Sequence, residues 1–150
     1  FLEALGKQEQ EEQFVLARDW LNGHRFYNGS GIVVYPGGRF TEETKEVLEE
    51  NGFTAGMSLN SVWDADEGCY REDIEIYCLI SDTTFKQAKE AIDKAISSKT
   101  TCILMLHKIE PVTDDSQMQI EEELFEQIVS YLYENKDDIS VVTMTRLLGS

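Results

Sequence analysis

The chain is poor in histidine, cysteine and proline, and these shortages exclude several kinds of site. Its 150 residues include two histidines, three cysteines and two prolines. The cysteines form no C-x-x-C pair and their number is odd, so the sequence does not describe a disulfide framework. It contains no H-x-x-x-H, H-E-x-x-H, P-loop, G-x-G-x-x-G or G-x-S-x-G motif. We therefore expect no two-histidine metal site, no phosphate-binding loop and no serine-hydrolase elbow.

Long hydrophobic runs and basic clusters are missing as well. No apolar run approaches the roughly 20 residues that a membrane-spanning helix needs, and no basic leader precedes a hydrophobic segment. The net charge of −16 repels polyanions, and no group of lysines or arginines offsets it locally. We therefore expect neither membrane insertion nor nucleic-acid binding. A neutral or cationic partner, such as a sugar polymer, is compatible with this charge.

Helical and extended patterns alternate along the chain, without repeats or linkers. Amphipathic patterns predict helices over 8–22, 41–51 and 83–98, and a further helix that begins near residue 116. Apolar runs predict five strands, over 31–35, 53–59, 73–80, 101–107 and 139–144, and residues 60–72 are predicted to be a polar loop. This alternation indicates one α/β domain over 1–150, with a mainly parallel sheet covered by helices. Because a closed βα barrel needs eight strands, the domain is either an open sheet or part of a barrel.

Capping residues predict where the helices begin. Thr41 precedes two glutamates that favour the first turn of a helix. Ser81 or Asp82 is expected to cap the helix over 83–98, and Ser116 has capping-box spacing with Gln119.

Ligands of parallel βα folds collect beyond the C-terminal ends of the strands. His107 stands at such an end, directly after an apolar run. Its imidazole is either a general acid or base or a hydrogen-bonded structural group, and both interpretations stay open. Its candidate ordering partners are the acidic residues of the strand-end loops, namely Asp64, Asp66, Asp114 and Asp115.

Tyr35 and Trp63 also follow or flank strand ends. Their aromatic faces suit the apolar C–H surfaces of sugar rings, although a residue of this kind is more often part of the core. The segment Tyr-Pro-Gly-Gly at 35–38 is first of all a turn signal.

Three segments together resemble NodB-type polysaccharide deacetylases. Residues 20–58 are similar to the region around that family's third motif, where a strand runs into Pro-x-Gly and a helix and a Gly-Phe pair follow. Residues 71–109 resemble the segment that leads to its final Leu-x-His motif, here Met105-Leu106-His107, and residues 125–148 resemble its terminal helix and strand. The Tyr-Pro-Gly-Gly form is similar to divergent domains of Gram-positive bacteria and their phages.

The resemblance implies a distorted βα barrel and a chemistry. In a complete relative, a divalent ion such as zinc polarises the amide of an N-acetylated sugar and activates water, while a late histidine acts as the acid. The resemblance implies that His107 is this acid, that Leu106 or Met105 lines an acetyl pocket, and that Tyr35 and Pro36 form one wall of the groove. The pair Trp63-Asp64, which we also expect to bind substrate, loosely matches the fourth motif.

The chain departs from the family where the metal would bind. The motifs that carry the base aspartate and the H-x-x-x-H ligands have no counterpart, and Val34 replaces a usual arginine. We therefore expect a partial barrel of the polysaccharide deacetylase type, with no metal or cofactor on this chain alone. Unpaired strand edges in such a half barrel predict association with another chain or with a missing N-terminal half.

Two hypotheses about function follow. The chain is the C-terminal half of a polysaccharide deacetylase, inactive alone, or it is a non-catalytic sugar-binding or structural module. By resemblance, its ligand is a polysaccharide or the glycan of peptidoglycan. Its location is then extracellular, on a cell surface or in a virion such as a phage tail.

Overall fold

The computed structural model describes residues 2–111 and 118–148, which form two compact units. The first unit comprises the described residues of 1–71 and 142–150, and the second comprises those of 72–141. Each unit contains helices and short strands, which confirms the α/β class. The partial barrel and the single domain stay predictions.

The first unit is built on a four-stranded sheet with helices. Its elements are α1 (Lys7–Gly23), β1 (Ile32–Val34), α2 (Glu42–Glu50), β2 (Ala55–Met57), β3 (Val62–Asp64), β4 (Cys69–Tyr70) and α5 (Met144–Leu147). The strands lie in the order β1-β2-β3-β4. Strands β1 and β2 are parallel, with Ile32 opposite Ala55, whereas β2–β3 and β3–β4 are antiparallel.

The β1–α2–β2 segment follows the sequence prediction. The Thr41 hydroxyl caps α2 by accepting a hydrogen bond from the Thr44 N–H at 3.2 Å. The helix buries Val47 and Leu48 in the core and ends before Gly52, whose φ of 70° favours glycine. Local capping and turn chemistry therefore fix this segment.

The second unit has two pairs of parallel strands and two long helices. Its elements are β5 (Ile74–Cys78), α3 (Phe85–Ser98), β6 (Thr101–Met105), β7 (Lys108–Ile109), β8 (Gln119–Ile120) and α4 (Glu122–Glu134). Strand β5 pairs with β6, and β7 pairs with β8. Its core contains Leu79, Ala88, Ile92, Ile120 and Ile128. The Tyr131 hydroxyl of α4 donates to the Asp93 carboxylate of α3, which ties the two helices together.

The predicted polar loop over 60–72 is wrong, because the segment forms the β3–β4 hairpin. Although the segment is polar overall, burial alternates along β3, where Val62 and Asp64 are buried and Trp63 between them is partly exposed. The charge of Asp64 is compensated inside the hairpin, so a buried carboxylate and a strand are compatible here.

The predicted strand over 139–144 is also wrong. Val141 is 75% exposed, and Thr143 instead caps the short helix α5 by accepting from the Arg146 N–H. An apolar run forms a strand only when a neighbouring strand pairs with it, and the described residues offer no such pairing here.

Two predicted helix starts are corrected. Helix α3 is capped by Thr84, with Gln87 completing a capping box, and not by Ser81 or Asp82. Helix α4 begins after Glu121, because Gln119 is buried and paired in β8. Ser116 lies outside the described residues.

No helix in the described ranges is both long enough and apolar enough to cross a bilayer.

Candidate functional site

The predicted site residues fall in both units. Tyr35, Pro36, Trp63 and Asp64 belong to the first unit, and Leu106 and His107 to the second. Each set is therefore described within its own unit.

Tyr35 is a core residue of the first unit. It is 3% exposed and stacks on Phe40, with ring centroids 4.7 Å apart. Its hydroxyl lies against Gly56 and has no hydrogen-bond partner among the described residues. Burial raises the pKa of this hydroxyl far above its ordinary range. This packing favours the core interpretation of Tyr35, and its role as a groove wall stays a prediction.

The buried phenol predicts a loss of stability in alkali. Its raised pKa means that the unfolded chain releases the proton first, so folding stability falls as the pH rises above about 10. Tyr35→Phe removes this contribution. Above about pH 10, the free energy of unfolding of the wild type should therefore fall relative to that of the variant by up to about 1.4 kcal/mol per pH unit. Urea unfolding between pH 8 and pH 11.5 measures this difference, and parallel curves for the two proteins would contradict the burial of the hydroxyl.

Trp63 and Asp64 stabilise the β3–β4 hairpin. The Asp64 carboxylate accepts the Glu67 N–H at 3.2 Å and the Arg71 guanidinium at 3.1 Å. The Trp63 ring meets Tyr70 edge-on at 5.1 Å, and the Lys45 ammonium lies 4.5 Å from its centroid. Both side chains thus make contacts within the first unit, and substrate binding by Trp63 and Asp64 stays a prediction.

Pro36, by contrast, is exposed. It begins a turn in which Gly37 and Gly38 both have positive φ values, of 66° and 69°. It also borders an open groove of about 500 Å³ on the first unit. Pro36 is thus accessible to a ligand, as the groove-wall prediction requires.

His107 is exposed directly after β6, and Leu106 packs partly buried against the core of the second unit. Of its predicted ordering partners, Asp64 and Asp66 belong to the first unit, whereas Asp114 and Asp115 lie outside the described residues. The acid role of His107 and the pocket-lining role of Leu106 therefore stay predictions.

A metal site needs several His, Cys, Asp or Glu side chains close together. No three His, Cys, Asp or Glu side chains in them form a group that could hold a metal ion. These residues therefore do not fit the divalent ion that the resemblance implies for a complete relative.

The structure brings together a set of aromatic side chains that the sequence prediction missed. Trp20, His24 and Phe26, hereafter the aromatic ladder, lie at the end of α1. The Trp20 and His24 rings stack with centroids 4.0 Å apart and planes 24° apart. The planes of Trp20 and Phe26 differ by 16°, with centroids 6.4 Å apart. Trp20 is 58% exposed and Phe26 is 59% exposed, so much of the ladder faces solvent.

Backbone geometry builds this ladder. Trp20 lies in the last turn of α1 and His24 is its C-cap, four residues later, so both side chains lie on the same side of the helix end. The helix then ends in a Schellman motif, in which Arg25 has a left-handed φ of 65°. The Phe26 N–H donates to the Leu21 carbonyl at 2.9 Å, and the Arg25 N–H donates to the Asn22 carbonyl at 3.0 Å. This reversal returns the chain and brings Phe26 beside Trp20.

The orientation of His24 is fixed by a hydrogen bond. Its Nδ1 lies 2.8 Å from the Trp20 carbonyl oxygen. Because a carbonyl only accepts, Nδ1 carries the proton, and Nε2 is the acceptor in the neutral ring. The ladder therefore offers exposed aromatic surface beside a polar nitrogen, a combination suited to a ligand with apolar C–H faces and hydroxyl groups.

One sequence signal for the ladder was present. The stretch Trp20-Leu-Asn-Gly-His-Arg-Phe-Tyr27 holds more rings than one buried helix face requires. Helical periodicity places Trp20 beside the apolar face of the predicted helix, and His24 has no second histidine at metal-ligand spacing that would single it out.

No family model, no curated protein and no solved structure matches this chain.

Proposed function

We propose that this chain is a carbohydrate-binding module of the polysaccharide deacetylase type that does not release acetate by itself. The observation that carries the proposal is the exposed aromatic ladder. Exposed aromatic ring surface can pack against the apolar C–H side of a pyranose, and a contiguous exposed apolar patch is typical of a binding site.

The charge of the chain supports the choice of ligand. With a net charge of −16, the protein repels anionic polymers and tolerates neutral or cationic ones. N-acetylglucosamine polymers are neutral, and their deacetylated forms are cationic. The charge is compatible with a glycan of amino sugars, and the family resemblance selects this class of ligand.

Binding to such glycans is expected to depend on the ladder. Replacing Trp20 and Phe26 with alanine removes two stacking faces, each worth about 1.5–3 kcal/mol when fully buried, so the double variant should bind at least tenfold more weakly. Calorimetric titration with N-acetylglucosamine and glucosamine oligomers measures the change.

The matched control is Tyr133→Ala, because Tyr133 is also an exposed ring, 69% accessible, but belongs to α4 of the second unit. This variant should bind as the wild type does. Equal affinity of the Trp20/Phe26 double variant and the wild type would refute the proposed binding surface.

A half enzyme completed by another chain is the second candidate function. It is favoured by the exposure of His107 at the C-terminal end of β6, where parallel βα folds collect their ligands. Both candidate functions predict that this chain alone releases no acetate from a chitooligosaccharide, with or without Zn²⁺. Release by this chain alone that is lost in His107→Ala would contradict both, because it would show an enzyme that needs no completing half.

A further inference from the structure

The edge of the first unit's sheet at β1 is open. β1 is the outermost strand of the order β1-β2-β3-β4. The Tyr35 N–H donates to the Met57 carbonyl at 2.9 Å, and the Gly31 carbonyl accepts from Thr54 at 2.8 Å. Residues at alternate positions of a parallel strand point their backbone groups to opposite sides. Ile32 and Val34 therefore direct their N–H and C=O groups away from β2, to an edge with no strand beside it in the described ranges.

A groove of about 500 Å³ runs beside this edge. One wall comes from β1, with Ile32, Val33 and Val34. The other wall comes from α1, with Phe14, Ala17 and Leu21. The groove is thus mainly apolar, and the outward N–H and C=O groups of Ile32 and Val34 flank its strand wall.

The edge strand itself carries no charged side chain that would oppose strand addition. Exposed edges are commonly blunted by charged side chains, a proline, a bulge or a very short strand. β1 is the three-residue strand Ile-Val-Val, and Pro36 follows two residues later, so an added strand can pair only with the outward groups of Ile32 and Val34. The side chain of Val34 is 59% exposed. Such an edge is a template for an added strand.

We propose that the β1 edge binds an extended segment of a partner polypeptide, with apolar side chains at alternate positions and basic residues at its ends. Alternating N–H and C=O groups along the edge match an extended backbone, which sugars and lipids do not provide. Alternate side chains of the added strand would enter the groove against α1.

Charge selects a basic segment over a second copy of this chain. Arg18 is the charged residue of the groove lining, whereas helix α1 as a whole carries four acidic and two basic side chains, so the basic ends of the segment would lie outside the lining. Two copies would each bring a net charge of −16 to the contact. This binding does not depend on the aromatic ladder or on glycan.

The test uses the peptide KVTVTVK, acetylated and amidated, as the probe and amide hydrogen exchange as the readout. Without peptide, the amides of Ile32 and Val34 should exchange rapidly, whereas that of Val33, which faces β2, should be protected. Saturating peptide should slow exchange at Ile32 and Val34 at least tenfold. The acidic peptide EVTVTVE should bind at least tenfold more weakly.

The variant Val34→Lys places a charge at the edge and should weaken peptide binding at least tenfold. Val141→Lys is the control, since Val141 is an exposed valine of the second unit. Because the hydrogen-exchange measurement uses the wild-type chain, it tests peptide binding at the β1 edge even if Val34→Lys does not fold. Unchanged exchange at millimolar peptide would overturn the proposal, and so would protection that grows with protein concentration in the absence of peptide, which indicates a second copy instead.

Discussion

Replacing Gly56 with alanine is expected to destabilise the first unit by about 3 kcal/mol or more. A Cβ at this position would lie 1.9 Å from the Tyr35 hydroxyl oxygen, 2.5 Å from its Cζ and 3.0 Å from a methyl carbon of Leu48. Both neighbours are buried in the core, so neither moves without disturbing the packing. Chemical denaturation followed by circular dichroism measures the loss.

The matched control is Gly23→Ala. A Cβ at Gly23 meets nothing within 4 Å, and the residue is helical, so alanine there should stabilise by about 0.5–1 kcal/mol or leave stability unchanged. Tyr35→Phe removes the shortest contact and should recover part of the Gly56→Ala loss. Wild-type stability of Gly56→Ala would show that Tyr35 does not lie over Gly56.

Removal of the Asp64 carboxylate should destabilise the first unit by about 3 kcal/mol without weakening glycan binding. Asp64 is buried, and it accepts hydrogen bonds from the Glu67 N–H and the Arg71 guanidinium. Asp64→Ala removes the acceptor of both hydrogen bonds, and hydrogen bonds that involve a charged group are worth about 1.5–3 kcal/mol each. Thermal unfolding measures the first effect, and calorimetric titration of the folded variant with an N-acetylglucosamine oligomer measures the second.

Asp66→Ala is the control for this experiment, because Asp66 is an exposed acid of the same hairpin. It should change stability by no more than about 0.5 kcal/mol. If Asp64→Ala kept full stability but lost glycan affinity, Asp64 would be a ligand-binding residue, as its place near a strand end first predicted.

The parts of the fold that follow from local chemistry could be predicted. The Thr41 cap, the two glutamates after it and the Asn51-Gly52 turn act within a few residues, and α2 forms where the sequence places it. The predicted alternation of strands and helices likewise indicates parallel pairing, and β1 pairs in parallel with β2 and β5 with β6.

The parts of the fold that depend on contacts between distant residues could not be predicted from the sequence. Asp64 is a buried strand residue because Arg71 compensates its charge, and a polar composition alone indicates a loop. Tyr35 is covered because Gly56, on the neighbouring strand, leaves room for its hydroxyl.

The aromatic ladder falls between these cases. The spacing of Trp20 and His24 is visible in the sequence, whereas the contact with Phe26 needs a left-handed residue at Arg25. Arginine rarely adopts that conformation, so no residue marks the turn as glycine would.

The fluorescence of the two tryptophans tests the central claim most directly, since Trp20 belongs to the ladder and Trp63 to the site first predicted from sequence. In Trp63→Phe, Trp20 is the sole reporter, and titration with an N-acetylglucosamine oligomer should change its emission saturably. In Trp20→Phe, the emission of Trp63 should stay constant. A response from Trp63 with none from Trp20 would contradict glycan binding by the ladder and restore the sequence-predicted site.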